Sequence, residues 1–261
     1  FGNTMSLYSL GQKAKQALED SRETVAKFMN AKPEEIIFTG SATESDNLAL
    51  KGIAFANKER GKHIIISSIE HDAVLNTAKW LEKEGFEVTY FPVDKYGLID
   101  TKQLENSIRK DTILVSIMHA NNEIGTIEPI EEIGKICRER GVYFHTDAVQ
   151  TFGKIPIDVE KMNIDLLSIS AHKFYGPKGV GTLYIRKGVK IEPLLHGGGH
   201  EFGLRSSTVN VPGIVGLAEA VRLRIKEMKP EAKKLTKLRD YLIKNVLKIE
   251  NSHLNGHPVR R

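Results

Sequence analysis

The apolar positions of this chain switch repeatedly between a helical and a strand-like period. Residues 6–29 set Ala14, Leu18, Val25 and Phe28 among charged side chains, the spacing of an amphipathic helix. Glu35–Thr39 is a short apolar run closed by Gly40, which predicts a strand, and 43–57 is a second amphipathic helix. The pattern continues with a strand at 63–67 (HIIIS), a helix at 71–84 and strands at 86–91 and 112–118 (TILVSIM). A helix at 129–140 stops at Gly141, and strands follow at 142–145, 164–169 and 181–186. Strands alternating with helices predict an α/β fold in which helices cover a mostly parallel sheet. The alternation ends at 212–227 and 230–248, two consecutive helical stretches with Pro230 between them. A boundary is therefore expected near 225, with a large α/β domain over 1–225 and the start of a smaller domain over 226–261.

Composition narrows the function classes. Of the 261 residues, 40% are hydrophobic and 27% charged, an ordinary globular balance. Lys+Arg exceed Asp+Glu by 38 to 33, but the two signs are interspersed. There is no basic block with interleaved aromatics, so direct nucleic-acid binding is not expected. No apolar run approaches the roughly 18 residues of a membrane span, and the first thirty residues lack the pattern of a secretory signal. Cys137 is the single cysteine, which fits a reducing compartment and a cytoplasmic location. Both ends, Phe1-Gly2-Asn3 and Val259-Arg260-Arg261, read as cut from something longer.

Four local patterns carry candidate chemistry. Gly40-Ser41-Ala42-Thr43-Glu44 joins a strand to a helix, and small residues at a helix N-terminus offer free N–H groups to a phosphate. The alternative there is a capping box from Ser41 to Glu44. His145-Thr146-Asp147-Ala148-Val149-Gln150 follows a strand. An Asp at that edge faces the crevice where open α/β sheets bind ligands, and a buried carboxylate needs a cation such as a protonated pyridine nitrogen. The alternative is an Asp that caps a turn. Ser170-Ala171-His172-Lys173 ends the next strand, and a partly desolvated Lys there is a usable amine nucleophile for an aldehyde. The rigid turn Gly176-Pro177-Lys178-Gly179 behind it separates this Lys from an ordinary solvated one. Finally, His196-Gly197-Gly198-Gly199-His200 permits close backbone approach to a ligand or to another chain. His196 and His200 make a poor metal pair, since glycines do not hold a helical spacing. No P-loop is present, and Gly176 to Gly181 has neither the spacing nor the following helix of a dinucleotide loop.

In this order, the segments FTGSATESDNLALKG (38–52), SSIEHDAVLN (67–76), MHANNEIGTI (118–127), HTDAVQTFGKIPID (145–158), SAHKFYGPKGVGTLYIR (170–186) and HGGGHEFGLRSSTVNVPGIVGLAEA (196–220) resemble the NifS/IscS-type cysteine desulfurases of the class V aminotransferase group. The resemblance spans essentially the whole chain. It implies the type I fold of transferases that use pyridoxal 5'-phosphate (PLP), with the smaller C-terminal α/β domain only partly present. It also implies conversion of L-cysteine to L-alanine, with sulfur held as a persulfide for iron–sulfur cluster assembly or tRNA thiolation. Carried over by residue, Lys173 binds PLP as a Schiff base and later moves protons at the substrate Cα, and Asp147 pairs with the ring nitrogen. Gln150 bonds the ring hydroxyl, and His71 stacks on the ring and serves as acid or base. Ala42, Thr43, Ser170 and His172 hold the phosphate, and Asn122 lies near cofactor and substrate carboxylate. Thr208 reaches the phosphate of a second subunit, so a homodimer is implied, together with a sulfur-acceptor scaffold protein.

The chain departs from the family at Thr4 and Met5, where Pro and Ser are common, and at Phe202 and Ser207, where Arg or Asn and Gly are frequent. The family's nucleophilic cysteine and its carboxylate-gripping Arg both fall beyond Arg261. Cys137, inside a predicted helix, reads as a core residue. Two other readings stay open: a selenocysteine lyase or other class V enzyme, and a non-catalytic PLP-binding or dimerisation fragment.

Overall fold

In the computed structural model, which describes residues 2–261, one sheet of seven strands has the order β1-β7-β6-β5-β4-β2-β3. The strands are β1 (Ile36–Thr39), β2 (His63–Ser67), β3 (Glu87–Phe91), β4 (Thr112–Ser116), β5 (Tyr143–Asp147), β6 (Leu166–Ser170) and β7 (Gly181–Ile185). β2 through β6 pair in parallel, whereas β7 is antiparallel to both β1 and β6. β1 therefore runs in the same sense as the parallel strands, and β7 alone is reversed. Apart from the edge strand β3 and the half-buried Tyr143 that opens β5, the strands are buried along their length, which is why they read as continuous apolar runs rather than alternations.

Helices α1 (Ser9–Phe28), α2 (Ala42–Asn57), α3 (Asp72–Lys83), α4 (Thr101–Ser107), α5 (Ile130–Arg140) and α6 (Val211–Val246) cover the sheet. Two apolar clusters lie on its opposite faces. One includes Val25 of α1, Ile133 of α5 and Leu217 of α6; the other includes Leu48 and Ile53 of α2 and Val74 of α3. The expected α/β class with a mostly parallel sheet is thus observed.

One expectation needs correction, and one helix was not expected. The stretches 212–227 and 230–248 are not two helices: α6 runs without a break through Pro230. Pro230 cannot donate to the carbonyl of Lys226, but both residues are exposed, so water can take that carbonyl. Buried Arg224 further ties the two sides together, donating to Gly153 O behind and to Glu227 and Glu231 ahead. The short helix α4 carries too few apolar positions to register as periodic, and its start is set by Asp100, whose carboxylate accepts from the N–H groups of Lys102 and Gln103.

The free edge of β1 is closed by a buried ion pair. Arg22 of α1 meets Glu201 with N–O distances of 2.8 and 2.9 Å. The same guanidinium donates to Ile36 O, and the same carboxylate accepts from Phe38 N–H at 2.7 Å. Two backbone groups that no neighbouring strand takes are thereby satisfied. Glu201 and Phe202 hold positive φ of 50° and 58°, so the loop that follows the three glycines is shaped around this pair.

Candidate active site

The parallel sense of β1, β2, β4, β5 and β6 sends their C-terminal ends to one edge of the sheet, where open α/β sheets place ligands. A cavity of about 290 Å³ opens at that edge. Its lining includes Ala42, Thr43, His71, Asn122, Asp147, Gln150, Ser170, His172 and Lys173, all singled out from sequence. Thr208 is exposed in the loop ahead of α6 and does not line the cavity of its own chain.

Each wall has a local cause. Ser41 caps α2: its Oγ accepts from Glu44 N–H at 3.1 Å, and the Glu44 carboxylate accepts from Gly40 N–H at 2.8 Å. The capping reading of this loop is therefore correct, and it leaves the N–H groups of Ala42 and Thr43 without a partner among the described residues. Gly181, where β7 begins, must lack a side chain, because a Cβ there would stand 2.5 Å from the Ser41 carbonyl carbon. His71 caps α3, its Nδ1 accepting from Ala73 N–H at 3.1 Å, which fixes the ring and assigns the proton to Nε2. Ser170 Oγ lies 2.9 Å from His172 Nδ1. Gln150 Oε1 accepts from Lys154 Nζ at 3.2 Å. Lys173 sits in the one-turn 3-10 helix Ala171–Phe174 that follows β6, and its amine forms no hydrogen bond or ion pair among the described residues.

Asp147 is the last residue of β5 rather than a residue after it, and it is 5% exposed. One carboxylate oxygen accepts from Val149 N–H at 2.9 Å. Burial raises its pKa above the ordinary carboxylate range, while that N–H and the nearby charge of Lys173 work against the rise. Burial also lowers His172, helped by the charges of Lys173 and Lys178.

Behind the cavity the site is lined with buried polar groups. Glu70 accepts from Ser67 Oγ and Met118 N–H at 2.6 and 2.7 Å, yet burial still raises its pKa to about 8. His145 on β5 is held between Ser116 and Ser168 at 2.8 and 3.0 Å, and burial lowers its pKa to about 3. Cys137 is buried on α5 and burial pushes its thiol up, far from the form that reacts.

The lining also holds Ser41, named from sequence only within the capping loop, and Asp46, Met118 and Val149, to which the sequence assigned no role. Asp46 left a legible trace. It is a lone acid in the otherwise apolar or small stripe of α2 that contains Ser45, Ala49 and Ile53, one turn after Ala42 and Thr43.

Residues 1–261 match the aminotransferase class-V family. A "Cysteine desulfurase IscS" of Methanosarcina thermophila is 60% identical over 261 residues, which is all of this chain and 65% of that protein. A solved "NIFS-LIKE PROTEIN" superimposes with a TM-score of 0.94 at 48% identity, covering 97% of this chain and 70% of the other. A second structure, "SspA in complex with cysteine", has a TM-score of 0.83 at 50% identity, covering 85% and 65%. The chain thus spans about 65% of the length of the curated relative.

Proposed function

Since this chain belongs to the aminotransferase class-V family, we propose that it forms the larger part of a PLP-dependent cysteine desulfurase. The observation that carries this reading is the meeting of three groups in one cavity: an unengaged amine, a buried carboxylate held in no ion pair among the described residues, and a helix N-terminus with N–H groups to spare. These fit PLP at its aldehyde, its ring nitrogen and its phosphate. Similarity to proteins described as cysteine desulfurase IscS and as a cysteine complex supports L-cysteine as substrate.

When bound, PLP supplies an electron sink for the electrons released at the substrate Cα. Asp147 would hold the ring nitrogen and keep it protonated. The N–H groups of Ala42 and Thr43, with Ser170 and His172, would hold the phosphate. Gln150 would bond the ring hydroxyl, His71 would lie over the ring, and Asn122 would stand near the substrate carboxylate. Lys173 would anchor the aldehyde carbon and then carry the proton at the substrate Cα. In the net reaction a thiolate attacks the substrate sulfur, the C–S bond breaks, and alanine leaves as a persulfide forms. Cys137 is not the attacking thiol in this reading, being buried in the core.

The exposed position of Thr208 supports its service in the cavity of a second subunit, and hence a homodimer. Residues 226–261 are read as the beginning of a further domain. The buried face of α6 stops at Arg224, and Leu235, Leu238, Tyr241 and Leu242 are exposed beyond it. Iron–sulfur assembly or tRNA thiolation as the destination of the sulfur, a scaffold protein as acceptor and cytoplasmic residence complete the proposal; a single free thiol fits a reducing compartment.

The test is product analysis on the full-length protein with PLP. Alanine and reducible sulfur are expected in equal amounts from L-cysteine. Alanine from L-selenocysteine alone would make the protein a selenocysteine lyase, and retained PLP with neither product would make it a binding protein.

A further inference from the structure

Asp46 shares the cavity with Asp147 and is 1% exposed, yet its Oδ1 has no hydrogen-bond partner among the described residues. A buried carboxylate in that position needs a cation or a proton. The nearest candidate cation is His145, whose Nε2 lies 3.6 Å from Oδ1, beyond hydrogen-bond range. Both nitrogens of that ring are already engaged, by Ser116 and by Ser168. Burial keeps the imidazole neutral, so it offers Asp46 no charge.

Of the other groups that face Asp46, only one favours its charge. β5 contributes Asp147, a like charge, and the turn ahead of α3 contributes Glu70, an acid that offers no positive charge. β6 contributes the Ser168 hydroxyl, the one group here that favours the charged form, and it is already bonded to His145 Nε2. Ile37, Thr39, Leu114, Ser116, Gly181 and Leu183, the residues of β1, β4 and β7 on this face of the sheet, carry no titratable group. The stabilising groups cluster on the side of Asp147 instead: the Val149 N–H and the charge of Lys173. Two carboxylates that share a small buried space do not both ionise, and the one with the better partners keeps the charge.

We propose that Asp46 is a positioning residue that retains its proton and so makes Asp147 the single carboxylate charge at the floor of the cavity. It acts through Asp147, and therefore rests on the reading that Asp147 faces a cationic ring. Protonated Asp46 places no charge beside the Ser116–His145–Ser168 hydrogen bonds that cross the centre of the sheet. A charge at Asp46 would instead draw a proton onto the pair and divide it between the two, weakening the hold of Asp147 on any cation before it.

The experiment is infrared spectroscopy of the full-length protein with carbon-13 labelled aspartate, which separates aspartic-acid carbonyl bands from those of Glu70 and Glu128. One protonated aspartic-acid band is expected at pH 7 in both the PLP-free and the PLP-loaded protein, and Asp46→Asn should remove it. Because Asn is neutral and the same size, Asp46→Asn should bind PLP within about threefold of the parent. Asp147→Asn should bind it about 10- to 100-fold more weakly, the range for losing a charged hydrogen bond. Absence of the acid band from the parent protein would overturn the proposal without recourse to any variant. So would loss of PLP by Asp46→Asn to the extent seen for Asp147→Asn. If Asp147→Asn bound PLP normally while the acid band still belonged to Asp46, the proton assignment would be upheld and the reading of Asp147 overturned.

Discussion

Lys173 and Asp147 come from consecutive turns of the same pattern, a strand end followed by a tight turn, and the parallel pairing of β5 with β6 brings them to one cavity. Their roles are separable. Lys173→Ala is expected to abolish the visible absorbance that PLP gains on condensing with a protein amine; a retained band would transfer that role to another lysine. Lys154, which already bonds Gln150 of the cavity lining, is one such lysine. Asp147→Ala should bind PLP weakly and lose exchange of the substrate Cα proton with solvent, and unchanged exchange would argue against its electronic part. Cys137 lies on the structural side of this division. Burial in the core between α5 and the sheet keeps its thiol protonated, so Cys137→Ala should leave alanine formation by the full-length protein unchanged.

At the level of elements, the Arg22–Glu201 pair has the larger consequence. It joins α1 to the loop after the three glycines and occupies the exposed backbone of β1, with the guanidinium between the rings of Phe38 and Phe202 at 5.0 Å from each. Arg22→Ala would strand a buried carboxylate and leave Ile36 O unpaired. The expected loss is about 3–5 kcal/mol, read as a lower denaturation midpoint at unchanged slope. The pair was hidden in the sequence, because its members are 179 residues apart and each lies in a segment that reads as surface. α6 teaches the converse. Pro230 is a sound helix-breaking signal locally, but exposure of the freed carbonyl and the grip of Arg224 on residues to either side let the helix continue.

For the whole molecule, the buried titratable groups set the pH range of stability. His119 and His145 have folded pKa values lowered to about 4 and about 3 by burial. Their contribution is complete above the unfolded value of about 6.5 and is lost as the pH falls toward those numbers. Glu70 and Glu128 are raised to about 8 and about 7, again chiefly by burial. Their contribution is complete below the unfolded value of about 4.3 and is lost as the pH rises through 7 to 8. Glu70→Gln should therefore match the parent in stability near pH 4 and exceed it increasingly up to about pH 8, as followed by chemical denaturation across pH. A constant difference across that range would show that Glu70 ionises normally in the fold.

The strands, every helix but α4, the α/β class, and a cavity lined by nine of the ten candidate residues were legible in the sequence, because each depends on local pattern: apolar period, caps, and small residues at strand ends. The tenth, Thr208, lies outside the cavity of its own chain, so its proposed role depends on an interface that no single chain contains. The sequence could not give the reversal of β7, the filling of the β1 edge by Arg22 and Glu201, or the approach of Asp46 to Asp147. Those follow from which elements lie side by side. Burial then acts on groups distant in the chain, taking water away from carboxylates and leaving their charge to be decided by neighbours that only the folded sheet supplies.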